Sequence, residues 1–226
     1  MAQPWQTIDS VYTPDGVLEL RKRGKRDFLI TIGGRVLMNS SASRSEIALG
    51  ELACQAVSAL PHPRVLIGGL GMGITLRAAL DALPAHARVI VAEINPVIAD
   101  WCRGPLAELT NNAMNDPRVA IELADVSALI AQTAETSAGQ FDAIIIDLFE
   151  GPHAATHAKN DPFYGSQALA KTHTALSGGG IFAVWGENSD AKFEKRLDAA
   201  GFSYERLRPG KGGLRHVVYL ARSRKG

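Results

Sequence analysis

The sequence predicts an α/β fold: a doubly wound, mostly parallel sheet preceded by a small antiparallel β unit. Three observations carry this. From Arg64 onward, short and almost wholly apolar runs alternate with segments of helical periodicity. Strands covered by helices on both faces read this way, and the alternation implies a parallel sheet. Second, the first run ends in a glycine-rich turn, Gly68-Gly-Leu-Gly-Met-Gly73, and the next ends in an acid, Glu93, twenty residues beyond it. Glycines let a backbone approach a ligand closely, and an acid at the following strand tip accepts hydrogen bonds from a ribose diol. Third, residues 1–42 follow another rhythm, in which apolar and polar residues alternate around polar and Gly-Gly turns. That is the pattern of β-hairpins.

Taken in order, Val17–Arg23 alternates apolar and polar, and Gly24–Asp27 is a polar turn. Phe28–Ile32 leads through Gly33-Gly34 into Arg35–Asn39. These hairpins make residues 1–42 one unit and leave 43–226 as a Rossmann-like domain. The basic cluster around Arg21–Arg26 has no interleaved aromatic residue, so it reads as a solvated strand end and turn. Ser45–Leu60 has helical spacing, with Ser43 or Ser45 available as a cap. Strands are then expected at Val65–Ile67, Val89–Ala92, Val119–Leu123, Ala143–Asp147, Ile181–Trp185 and His216–Ala221. Helices are expected near Ile74–Leu83, Pro96–Leu106, Val126–Ala134, Ser166–Ala175 and Ala191–Ala200. Tyr204–Leu207 and His216–Ala221, separated by Pro209–Gly213, read as a closing antiparallel hairpin.

Composition narrows the function classes. With 46% hydrophobic and 21% charged residues the chain is ordinary for a globular protein. A formal net charge of +1 supplies no field for nucleic acid or an anionic membrane, so neither is expected as a partner. No apolar run reaches about 18 residues, and no basic-then-apolar leader opens the chain. Cys54 and Cys102 read as buried free thiols, which fits a cytoplasmic location.

Ligands of such sheets bind beyond the carboxyl ends of the strands. Those ends carry the glycine turn (Gly68, Gly69, Gly71 and Gly73), then Glu93-Ile94, Asp125-Val126, Asp147 with Glu150 close behind, and Gly186-Glu187. Asp125 has two readings: a cap for the helix that starts at Val126, or the acceptor for an adenine amine. Asp147 reads as an anchor for an amine or as a base, and otherwise as a loop cap. Between Gly151 and Asp161, His153 is open as a base, while His157 is four residues on and no third ligand is evident, so no metal is expected. Tyr164 and Trp185 are candidates for the acceptor pocket.

The succession Val91-Ala-Glu-Ile-Asn-Pro96, Asp116-Pro-Arg-Val119, Ala124-Asp125, Phe141-Asp-Ala-Ile-Ile-Ile-Asp147, Asp161-Pro-Phe-Tyr164 and Ser177-Gly-Gly-Gly-Ile181 resembles the spermidine synthase family of aminopropyltransferases. That family lies within the class I S-adenosylmethionine-dependent methyltransferase fold. The resemblance covers nearly the whole chain, and it implies an adenosyl-sulfonium ligand, a small-molecule acceptor and, from the family's habit, a homodimer left open. The departures are specific. The family has an acid inside the glycine-rich turn, for the aminopropyl amine of decarboxylated S-adenosylmethionine; Leu70-Gly71-Met72 has none. Of the family's Tyr-His-Glu on the preceding helix, Leu49-Gly50-Glu51 keeps only Glu51. Asp147-Leu-Phe-Glu150 places Glu150 where the family has its presumed base.

Losing the turn acid removes a partner for an ammonium and a repulsion for a carboxylate. Turn amides at a helix N-terminus suit a carboxylate. The main expectation is therefore ordinary S-adenosylmethionine and methyl transfer to a small nucleophilic acceptor, with an amine foremost. The alternatives are aminopropyl transfer to a polyamine and a non-catalytic adenosyl-binding homologue.

Overall fold

The computed structural model describes residues 3–136, 139–149, 151–152, 161–209 and 216–225. Two sheets organise it. The first is a four-stranded antiparallel meander of β1 (Gln6–Thr13), β2 (Gly16–Arg23), β3 (Asp27–Ile32) and β4 (Arg35–Asn39). The second has seven strands: β5 (Arg64–Gly68), β6 (Arg88–Ala92), β7 (Val119–Glu122), β8 (Phe141–Ile146), β9 (Leu176–Gly186), β10 (Phe202–Leu207) and β11 (Val217–Ser223). Their order is β10-β11-β9-β8-β5-β6-β7, parallel from β9 to β7 and closed by antiparallel β11 and β10. This is the expected doubly wound, mostly parallel sheet.

The apolar runs alternate between the two faces. Val65, Ile67, Val89, Val91, Ala143 and Ile145 join one core cluster with α1 (Arg44–Gln55), α2 (Ile74–Ala82) and α3 (Pro96–Arg103). Leu66, Ile144, Ile146, Phe182 and Val184 join another with α4 (Val126–Thr136), α6 (Ser166–Ala175) and α7 (Ala191–Ala199). Full burial of both faces is why these strands carry no polar alternation. No described helix is long and apolar enough to cross a membrane. Leu18, Leu20, Phe28 and Ile30 of the N-terminal sheet enter the first of these cores, which seats that sheet against the parallel one.

Several boundaries differ from expectation for local reasons. β1 was not foreseen. It is an exposed edge strand, and its sequence, Gln-Thr-Ile-Asp-Ser-Val-Tyr-Thr, has no buried face to betray it. Trp101 Nε1 donates to Asp9 Oδ2 at 2.6 Å and ties β1 to α3. Helix α1 stops at Gln55, short of Leu60, because its end tightens into i→i+3 bonds such as Val57 N–H to Cys54 O, 3.2 Å. Ser43 occupies the N-cap position of α1 but makes no side-chain cap bond, and the Ser45 hydroxyl is engaged elsewhere. Helix α3 ends at Arg103 rather than Leu106, where Gly104-Pro105 interrupts it. A short four-residue helix, α5 (Asp161–Tyr164), precedes α6.

Strand β5 lies between β6 and β8, and its crossovers leave in opposite directions. A crevice opens at such a switch point, beyond the strand ends.

Candidate active site

The turn after β5 is built by glycines for two reasons. Gly69 has φ +90°, and a Cβ there would lie 2.5 Å from the Asp147 carbonyl oxygen. A Cβ on Gly68 would meet the Val126 methyls at 2.8 Å. The turn therefore lies directly on the start of α4 and on the chain leaving β8. Three of its amides are already engaged. Gly69 N–H donates to Ala92 O (2.9 Å) and Gly73 N–H to Leu70 O (2.8 Å). Leu70 N–H donates to Glu93 Oε2 (3.0 Å). Of the amides expected to receive a carboxylate, those of Gly69, Leu70 and Gly73 are thus spent within the protein.

Glu93 is buried at 8% exposure. Its Oε1 accepts from Asn95 N–H at 2.8 Å. Two main-chain donors hold the carboxylate, and each oxygen keeps a lone pair for a ligand hydroxyl. Across β5, Asp147 Oδ2 accepts from the Thr75 hydroxyl at 2.5 Å. Burial pushes the Asp147 carboxyl up to about 7; the Thr75 bond opposes that rise and the Glu46 carboxylate adds to it.

These residues line one cavity of about 470 Å³. Its floor runs from Glu93, Ile94 and Asn95 past Gly69 and Gly71 to Asp147, then to Trp185, Glu187 and His216. Its roof is the N-terminal sheet, with Leu18 and Ile30 below and Val36 to Asn39 along β4. Met38 sits on the turn: a Cβ on Gly71 would lie 2.5 Å from its sulfur. Four carboxylates line the cavity, Glu46, Glu93, Asp147 and Glu187, while no Lys or Arg does so among the described residues. Such a lining favours cations.

Of the sequence candidates, Gly69, Gly71, Glu93, Ile94, Asp147 and Trp185 meet in this cavity. Gly68 and Gly73 shape the turn without lining it. Glu150, His153 and His157 lie outside the described residues. Four candidates are placed elsewhere. Glu51 is exposed on α1, and the acid this helix gives the cavity is Glu46. Five residues rotate a helix about 140° beyond a full turn, so the two acids lie on different faces. Tyr164 is 2% exposed, with its ring edge-on to Phe193 at 5.7 Å in the core, and does not line this cavity as the described residues form it. Val126 is 4% exposed, its methyls packed beneath Gly68. Asp125 caps α4: its Oδ1 accepts from Ser127 N–H at 2.8 Å, and it is not part of the cavity lining.

Sequence reading missed Glu46, Thr75 and His216. Helical spacing from Leu49 would have separated Glu46 from Glu51. His216 directly precedes a strand, so its place depends on the antiparallel pairing of Val217 with Gly186.

A family model described as "Spermine/spermidine synthase domain" matches residues 52–196. A polyamine aminopropyltransferase of Clostridium tetani is 30% identical over 125 residues, which is 55% of this chain and 41% of that protein. One from Mycobacterium tuberculosis is 28% identical over 120 residues, covering 53% of this chain and 22% of that one. The matched region thus spans less than half the length of these curated relatives. Among solved structures, spermidine synthase from Thermotoga maritima superposes with a TM-score of 0.71 at 18% identity, over 96% of this chain and 72% of that one. A spermidine synthase in complex with the transition state analogue AdoDATO gives 0.70 at 17% identity, with the same coverage. At such identities the likeness shows the fold.

Proposed function

The chain belongs to the spermine/spermidine synthase domain family, and from that premise we propose that it transfers the aminopropyl group of decarboxylated S-adenosylmethionine to a small amine acceptor such as a polyamine. The observation that carries this is the lining of the cavity: four carboxylates and, among the described residues, no Lys or Arg. Decarboxylated S-adenosylmethionine brings a sulfonium and an ammonium, both cations. Ordinary S-adenosylmethionine adds a carboxylate, and three of the turn amides that would receive it are already bonded, to Ala92, Glu93 and Leu70. The missing turn acid is made good from other elements, by Glu46 of α1 and Asp147 after β8. The argument for methyl transfer rested on free turn amides and an absent anion; three of those amides are bonded within the protein, and anions come from other elements.

In this reading Glu93 accepts from the ribose diol, with Ile94 exposed beside it for the adenosine. Residues 1–42 form the roof unit and 43–226 the donor-binding unit. Asp147, held by Thr75, faces the reacting centre. A neutral amine attacks the aminopropyl carbon next to sulfur, a C–N bond forms, and the C–S electron pair leaves with methylthioadenosine. The amine proton passes to a base. Positioning supplies most of the effect, because the sulfonium is already a good leaving group.

Calorimetric titration with both sulfonium compounds tests the reading, together with mass analysis of products from putrescine. The decarboxylated donor should bind at least tenfold more tightly, about the value of one charge-assisted hydrogen bond. Putrescine should gain an aminopropyl group. Preference for ordinary S-adenosylmethionine, with gain of a methyl, overturns it.

A further inference from the structure

We infer that His216 is the proton acceptor for the incoming amine, and that Glu46 sets its tautomer through Ser45. This rests on the aminopropyl reading and names a group that the resemblance does not supply. Ser45 is 5% exposed at the start of α1. Its Oγ lies 2.6 Å from Glu46 Oε2 and 3.1 Å from His216 Nδ1. A serine hydroxyl has one proton, and a carboxylate only accepts. The proton therefore points to Glu46, and Oγ offers a lone pair to Nδ1. Nδ1 must then carry the imidazole proton, which leaves the lone pair on Nε2. Nε2 makes no hydrogen bond to any described residue. A base needs a free lone pair on a ring fixed by its other nitrogen, and this arrangement provides both.

The place in the fold suits the task. Val217 pairs with Gly186, so His216 stands beside Glu187 at the carboxyl end of β9. Its ring packs against Trp185 with centroids 4.8 Å apart. Both residues line the cavity, one and two strands from β8, whose end bears Asp147. At about 4.8 Å per strand, the donor's ribose partner Glu93 and His216 lie at opposite ends of the floor. The donor occupies one end, and an acceptor amine approaching the sulfonium from the other passes His216. The titratable groups around it are Glu46 from α1, Asp147 after β8 and Glu187 after β9; the described roof strands add none to the lining. These carboxylates stabilise the imidazolium formed when the amine proton moves to Nε2. The freed nitrogen pair forms the C–N bond, the C–S pair departs with methylthioadenosine, and the imidazolium then releases its proton to water.

The test uses His216→Asn, which keeps an N–H near the Nδ1 position and removes the second nitrogen, together with Ser45→Ala. Methylthioadenosine release from decarboxylated S-adenosylmethionine and putrescine is followed against pH. At neutral pH His216→Asn should lower kcat about 100-fold or more. The loss should close as the pH approaches the amine's own pKa, while methylthioadenosine affinity stays unchanged. Ser45→Ala should lower kcat less and shift the acidic limb of the profile. In a second arm, ¹⁵N-histidine spectra of the full chain with methylthioadenosine should show His216 protonated at Nδ1, and putrescine should move the Nε2 resonance. A His216→Asn profile parallel to the wild type, or an Nε2 resonance that putrescine leaves in place, overturns the assignment. If the wild-type chain turns over no amine, the aminopropyl reading falls, and the spectra alone decide whether His216 meets an amine.

Discussion

Replacing Asp147 by Asn should flatten the pH dependence of stability that the free cavity imposes. The carboxyl is raised from the 3.8 of a free aspartate to about 7, first by burial, with Glu46 adding to it against the Thr75 hydrogen bond. A folded pKa above the unfolded one means the folded state binds the extra proton. The resulting stability is fully present below about pH 4 and is lost as pH rises through about 7. Three pH units at about 1.36 kcal/mol each set a ceiling near 4 kcal/mol. Asp147 lines an open cavity, so solvent screening reduces this to about 1–2 kcal/mol. Urea unfolding of the ligand-free protein between pH 4.5 and 8.5 should show wild-type stability falling by that amount, and Asp147→Asn nearly level. Decarboxylated S-adenosylmethionine, a dication, favours the ionised carboxylate, so wild-type affinity for it should rise with pH through about 7. The variant should lack that rise. Parallel stability profiles for the two proteins would refute the reasoning, because the slope would then belong to another group.

Glu93→Ala should weaken donor binding by about 1.5–3 kcal/mol in calorimetry, the range for hydrogen bonds to a charged group; unchanged affinity would remove Glu93 from the ribose. Gly69→Ala places a Cβ 2.5 Å from the Asp147 carbonyl oxygen at a φ of +90°. It should cost about 1–3 kcal/mol in urea unfolding and displace Asp147, with loss of donor binding. Asp125→Ala removes the bond to Ser127 N–H and should cost about 1 kcal/mol of stability as a lost cap. If the ratio of adenosyl to inosyl ligand affinity also stays the same, Asp125 has only that capping role.

Much of the fold was readable from the chain because the signals were local. Nearly every buried strand announced itself as an apolar run, and Ser166–Ala175 was placed to the residue. β1 stayed hidden because an exposed edge strand needs no hydrophobic face. In the site, Glu93 and the glycine turn were legible since each sits at a strand end, where sequence spacing maps onto space. Glu51 was singled out by its match to the family's Tyr-His-Glu, whereas Glu46 lines the cavity, because both acids lie on one helix and only its packing chooses the inward face. Tyr164 looked like a pocket residue but packs on Phe193 in the core.

The sequence by itself determined the part of the cavity made by the glycine turn and Glu93. A glycine turn and an acid at consecutive strand ends become neighbours in any parallel βαβ unit, so their spacing alone carries the chemistry. Tertiary structure decided the rest. Ser45 and His216 stand 171 positions apart and meet only when β11 pairs antiparallel with β9. Met38 reaches the turn only when the N-terminal sheet docks over it. The charge of the cavity, which turns the reading from a carboxylate-bearing donor to a dicationic one, is a sum over four elements distant in sequence. No local pattern records such a sum, because the field at a site depends on which side chains converge there and on which amides are already spent.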